Sequence, residues 1–430
     1  MKTRERLKSI LIVVLIVGAA YLTYATWFYN SPMERVSLLA LLSNRVENAF
    51  SGGEENPDTG VVFYPLAASM KQESGRFGAR YDEEAVRTIF DRTYALFGEA
   101  LGSATAPRAV EEKAWREALG KPGVLYDYQS VIPAQVLAVW LGAVEYEDLL
   151  EYRARYLCLC VENGEVALYL KANDTCARFE TALEAGDVVT ATASVAPNGA
   201  KLAGESKQLV APELLVRTGE IRPARLRASA VTLTETNLSA MLRVFGFNPN
   251  TVSRYVERDG TQVYIEDINT VRFTPDGRIV YTDSREESEF GAGIFVPSVD
   301  DVPTLTEQLE TARLLVTRLD AELGSAGRLY LYGIQEQADA VEFEFGRAVD
   351  GIPVDRQGTG YVARVTVTKN KVTEVSCLTR IYEGTSETDP VLPWNLAIAA
   401  LRGNVTSGEL GLRYLDTGAE TLSASWYFKP

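Results

Sequence analysis

Ile10-Leu-Ile-Val-Val-Leu-Ile-Val-Gly-Ala-Ala-Tyr-Leu-Thr-Tyr-Ala-Thr-Trp-Phe-Tyr29 is the stretch on which the reading of this chain turns, and it contains no charge. At about 1.5 Å rise per residue, about 20 apolar residues cross the roughly 30 Å of bilayer hydrocarbon, so the run reads as a membrane helix. Lys2, Arg4, Arg6 and Lys8 precede it against Glu5 alone, and Trp27, Phe28 and Tyr29 close it with rings suited to the membrane interface. The N-terminus is expected in the cytoplasm and everything after Tyr29 outside. A cleaved signal peptide is the rival, with Thr23-Tyr24-Ala25 as its processing site. The apolar run exceeds the ~7 to 15 residues of a signal core, however, and aromatic residues after Ala25 suit an anchor.

The 430 residues are 46% hydrophobic, enough for two or three domains beyond the anchor. The net charge of −15 becomes more negative once the basic tail is set aside, which makes nucleic acid and anionic lipid poor partners. Histidine is absent. The commonest general base and metal ligand is therefore missing, and a Ser-His-Asp triad is impossible. Cys158, Cys160, Cys176 and Cys377 are too few for a disulfide scaffold. Cys158 and Cys160 share one strand face and cannot bond each other; Cys176 could reach either, against the simpler reading of small buried thiols.

After the anchor, Glu34 to Phe50 has helical spacing and could form a stalk, broken by residues 51–60. Asp82 caps a helix through Leu101, and Pro107 opens a second one, ended by Gly120. Val124 to Tyr128 is extended. Leu157 to Val161 and Val166 to Leu170 form a hairpin about Asn163-Gly164, and Val188–Val195 and Leu202–Val210 read as two further strands. Arg217 to Arg227 is a basic connector. Beyond it, a helix from Leu238 to Phe245 with strands at 253–257, 261–265, 270–273 and 279–282 is followed by a second helix, Thr304 to Leu323. That helix has Thr304 and Glu307 as a capping box, with strands after it at 329–333, 341–345, 361–368 and 372–378. A short helix near Trp394 and strands at 410–415 and 422–428 could extend the last sheet.

The expected fold is α+β: a single N-terminal transmembrane helix, then extracytoplasmic domains of helices packed on small antiparallel sheets, the last two a tandem repeat. The divisions are a cytoplasmic tail at 1–9, the transmembrane helix at 10–29, a first α+β domain at 30–216, a middle module at 228–300 and a C-terminal module at 301–430.

The chemical signals are weak. Gly358-Thr359-Gly360-Tyr361 has dinucleotide-fingerprint letters but runs into an alternating strand, so it reads as a hairpin loop. Glu342 and Glu344 alternate with the core residues Phe343 and Phe345 and should face water. Asp283, Glu286, Glu287 and Glu289 lack calcium-loop spacing. No catalytic residue, cofactor or metal site is expected. Gly18, Ala19 and Ala25 are the places where a partner helix could pack closely against the membrane helix, and Trp27, Phe28 and Tyr29 are the interfacial anchor.

Leu7-Lys8-Ser9-Ile10-Leu11 runs into Thr26-Trp27-Phe28-Tyr29; Val131-Ile132-Pro133 and the hairpin Thr270 to Tyr281 with its Pro275-Asp276-Gly277 turn follow, and then Phe343-Glu344-Phe345 leads into Val349-Asp350-Gly351-Ile352-Pro353-Val354. In this order the segments resemble the YycH family, and the last is also similar to modules of the YycI and PepSY type. The resemblance implies a non-catalytic, membrane-anchored regulator of a WalK (YycG) type sensor histidine kinase of Gram-positive bacteria. Its partners would be that kinase and a YycI-like protein in the membrane. The alternative is a cell-surface module that binds or inhibits a ligand or protein unrelated to a kinase.

Overall fold

The computed structural model describes residues 63–143, 149–193, 195–206, 210–216, 220–284, 293–298, 302–401 and 408–429. The expected membrane helix and stalk, with Gly18, Ala19, Ala25, Trp27, Phe28 and Tyr29, lie outside these residues. Among the described residues no helix is long and apolar enough to cross a membrane. The expected α+β balance is corrected to a mostly β chain, with 45% of the described residues in strands and 25% in helices.

In chain order the first half contains β1 (Ala67–Gln72), β2 (Gly75–Arg80), α1 (Glu83–Gly102), β3 (Thr105–Ala109), α2 (Glu112–Leu119), β4 (Gly123–Pro133) and α3 (Ala134–Trp140). It continues with β5 (Arg153–Glu162), β6 (Glu165–Ala172), β7 (Thr175–Glu184), α4 (Ala185–Ala193), β8 (Lys201–Leu202) and β9 (Leu215–Val216). Seven of these strands form an antiparallel sheet in the order β2-β1-β4-β5-β6-β7-β3. Alternation sorts its side chains between two layers. Val124, Tyr126, Leu157, Leu159 and Leu168 face the main core beneath α1, α3 and α4, while Leu125, Tyr156, Cys158, Cys160 and Tyr169 pack around Trp115 of α2. Asp82 caps α1 by accepting from the Ala85 N–H at 3.1 Å, and Asn163 and Gly164 both take the positive φ that their turn requires.

Two local readings are corrected here. Val188–Val195 is not a strand; its residues to Ala193 belong to α4, where Thr192 bonds back to the Val188 carbonyl at 3.0 Å and Val188 is fully buried. Tertiary burial outweighs the extended preference of a β-branched run. Pro107 does not open a helix but sits in the exposed strand β3, which among the described residues pairs only with β7 and so tolerates a missing N–H. The helix starts at Glu112 instead.

The second half contains β10 (Ala224–Ala230), α5 (Glu235–Val244), β11 (Ser253–Val256), β12 (Gln262–Glu266), β13 (Asn269–Thr274), β14 (Arg278–Asp283), α6 (Leu305–Leu323), β15 (Arg328–Glu336), β16 (Ala340–Val349) and β17 (Ile352–Arg356). It ends with β18 (Ala363–Thr368), β19 (Lys371–Leu378), β20 (Arg380–Thr388), α7 (Trp394–Ala400), β21 (Glu409–Asp416), β22 (Thr421–Leu422) and β23 (Ala424–Lys429). The separate small sheets expected for 228–300 and 301–430 are overturned. β14 pairs with β19, Arg278 opposite Leu378 through Thr282 opposite Glu374, and joins both sets into one eleven-stranded sheet ordered β11-β12-β13-β14-β19-β18-β16-β17-β21-β23, with β15 on β16. Either four-stranded half alone would leave a row of unpaired N–H and C=O groups at that edge, and the junction satisfies them. β17 pairs in parallel with β21, drawing the tail into the same sheet. The expected connector ends in a strand, because β10 lies between β20 and β22.

α6 is buried on nearly every side, unlike an amphipathic surface helix. Its Glu310 and Arg313 pair at 2.8 Å, and Trp140 Nε1 of α3 donates to Glu310 at 2.7 Å. Phe63 meets both Trp140, at 5.6 Å, and Phe345 of β16, at 6.0 Å, so the two halves share one core.

Candidate functional site

The two sheets meet along a polar seam, and the candidate site is a cleft in it. On the first-sheet side, β4 and β5 lose register between Asp127 and Ile132. The bulged Gln129 has φ +66°, and its N–H donates to Asp127 Oδ1 at 2.8 Å. Asp127 also accepts from Arg155 Nε at 2.9 Å and Nη2 at 3.2 Å, and Arg155 reaches across to Glu409 of β21. Ser130 donates to the Tyr332 carbonyl. A bulge thus re-aims one strand end at the other sheet.

On the second side the cleft is built of aromatic rings seated on glycines. Tyr330 lies directly opposite Gly346 in the β15–β16 pair, and Tyr427 directly opposite Gly411 in β21–β23. A Cβ on Gly346 would stand 2.6 Å from the Tyr330 hydroxyl, one on Gly411 would stand 2.8 Å from the Tyr427 ring, and one on Gly360 would stand 2.5 Å from Tyr332 Cε2. Each glycine is the gap that a ring fills. Gly358 and Gly360, in the loop between β17 and β18, have φ of +86° and +80°. The fingerprint-like letters therefore mark a loop between strands, which lines the cleft beside Asp355.

The cleft has a volume of about 260 Å³. Asp355 accepts from the Gly360 N–H at 3.0 Å and pairs with Arg413, whose guanidinium lies 4.9 Å from the centre of the Tyr427 ring. Glu409 and Lys429 complete the charged lining, so acids and bases balance. The Tyr330, Tyr332 and Tyr427 side chains line the cleft, and Tyr330 is only 5% exposed. Burial raises the pKa of all three, and neighbouring phenols or carboxylates add to it, so they remain protonated donors at neutral pH. Phenols held protonated and a carboxylate tied to arginine present hydrogen-bond donors and acceptors to the cleft.

The residues singled out in the sequence fall elsewhere. Gly18, Ala19, Ala25, Trp27, Phe28 and Tyr29 lie outside the described residues, as do Glu286, Glu287 and Glu289. Asp283 is buried and ion-paired with Lys371 at 3.7 Å. Glu342 pairs with Arg364 at 3.3 Å, whereas Glu344 is buried rather than water-facing, because β15 covers it and Gln335 donates to it at 3.1 Å. All four cysteines are free and buried. Burial pushes the Cys176 and Cys377 thiols up to about 12, and a hydrogen bond with Cys158, then burial, raises Cys160. The phenol cleft was not anticipated. The one local signal for it was the alternation Leu329-Tyr330-Leu331-Tyr332, which puts both phenols on one strand face.

Fold and cleft together are those of two sheets joined along a polar seam. No family model, curated protein or solved structure matches the chain.

Proposed function

We propose that the chain is a non-catalytic, membrane-held regulator of a two-component sensor histidine kinase, with the described residues forming its extracytoplasmic receptor body. The observation that carries this reading is the position of the cleft. Its walls come from both sheets, so a molecule held there would bear on how the two halves sit against each other. Binding free energy at such a joint can be converted into a conformational bias. The uncharged run 10–29 and its basic flank support a location beside the kinase's own membrane helices, where Gly18, Ala19 and Ala25 allow close packing. A YycI-like protein is the expected third member.

The test replaces residues 10–29 with an unrelated membrane span and measures kinase co-purification and output of a kinase-dependent reporter. Loss of both, with the chain still in the membrane, supports regulation through helix contacts. Unchanged association and output would remove the helix from the mechanism and favour the second reading, a cell-surface binding module, for which the cleft alone suffices.

A further inference from the structure

We propose that the seam cleft binds a neutral sugar residue, recognised by the hydroxyls of Tyr330, Tyr332 and Tyr427 and by the paired Asp355 and Arg413. Three features select this class of ligand. The first is the set of three phenols, one of them on a side chain 5% exposed, that line a cleft of about 260 Å³. A phenol hydroxyl both donates and accepts, and a ligand rich in hydroxyls supplies acceptors and donors to match. The second is charge. Asp355 and Glu409 are matched by Arg413 and Lys429, so an anion such as phosphate or a cationic amine gains no net attraction. The third is the aromatic wall formed by Tyr332, Tyr427 and Phe428, the last packed where a Cβ on Gly408 would stand 2.9 Å from its Cε1. Apolar ring faces beside fixed polar forks complement the mixed surface of a sugar, C–H on its faces and O–H on its rim.

This inference rests on the reading of the seam as the site that senses a ligand. It is tested with the full chain in lipid nanodiscs, by isothermal titration and ligand-observed NMR. The probes are N-acetylglucosamine and its β1,4-linked trimer as neutral sugars, with glucosamine and glucuronate as charged ones. The expected result is saturable binding of the trimer, weakened severalfold by Tyr332→Phe and at least tenfold by Tyr330→Phe/Tyr332→Phe. Tyr94→Phe, an exposed tyrosine on α1, should leave binding unchanged. Tyr332 is 38% exposed, so Tyr332→Phe alone decides the matter should the double variant not fold. Absence of saturable binding to either neutral sugar, undiminished binding in the variants, or tighter binding of a charged sugar would each overturn the assignment. Kinase co-purification from the same nanodiscs separates the two claims. Kinase association without sugar binding refutes only the ligand, and sugar binding without kinase association refutes only the regulator.

Discussion

Gly346→Ala probes the ring-on-glycine construction of the cleft directly. Gly346 has an ordinary strand conformation, so alanine meets no backbone strain and should by itself gain about 0.5–1 kcal/mol from the reduced entropy of the unfolded chain. Against that gain, the new methyl would stand 2.6 Å from the Tyr330 hydroxyl and 2.7 Å from its ring edge, well inside van der Waals contact. Tyr330 is buried and cannot swing freely aside, and overpacking of this kind costs about 1–3 kcal/mol. The expected net loss is about 1–2 kcal/mol. Tyr330→Ala should cost about 3–5 kcal/mol through the cavity it leaves. In that background Gly346→Ala should turn neutral or mildly stabilising, so the double variant is more stable than the sum of the singles by about 1–3 kcal/mol. Urea unfolding of the four proteins, followed by far-UV circular dichroism, measures the cycle. Additivity within ~0.5 kcal/mol would show that ring and glycine do not constrain each other.

Three further outcomes are expected. Arg313→Met strands Glu310, which is wholly buried, and should destabilise by about 3–5 kcal/mol, whereas Glu310→Leu/Arg313→Met should recover most of that loss in the same urea assay. Thr304→Ala removes the hydroxyl that accepts from the Glu307 N–H at 3.2 Å and should cost about 1 kcal/mol; a loss below the error of the melt would remove the cap from the account of α6. Burial raises the Glu162 carboxyl, but hydrogen bonds from Lys121, Tyr169 and Arg178 outweigh it and hold the group below its ordinary 4.5. A depressed folded value gives stability that is present above 4.5 and lost as pH falls through the folded value, so Glu162→Gln should flatten the acid limb of a stability–pH profile. An unchanged limb counts against the network.

The local signals were legible because they act within a few residues. Thr304 and Glu307 cap α6 reciprocally, with the Thr304 N–H donating to Glu307 at 2.8 Å, and Gly324 ends that helix at φ +63°. Asn163-Gly164 turns the β5–β6 hairpin, and the alternation of Val271 and Phe273 with Thr270 and Arg272 puts one face of β13 in the core. What tertiary structure decided lies beyond that range. Residues 188–193 follow the helix that buries Val188 rather than their own extended preference. Nothing near Arg278 specifies Leu378 as its partner; the pairing arises because two sheet edges satisfy each other, and it turns two expected modules into one sheet. The cleft is the most distributed feature of all, since its walls run from Gln129 to Lys429. Its chemistry depends on which tyrosine lies opposite which glycine, a register set by burial across the whole sheet and not by any residue's neighbours in sequence.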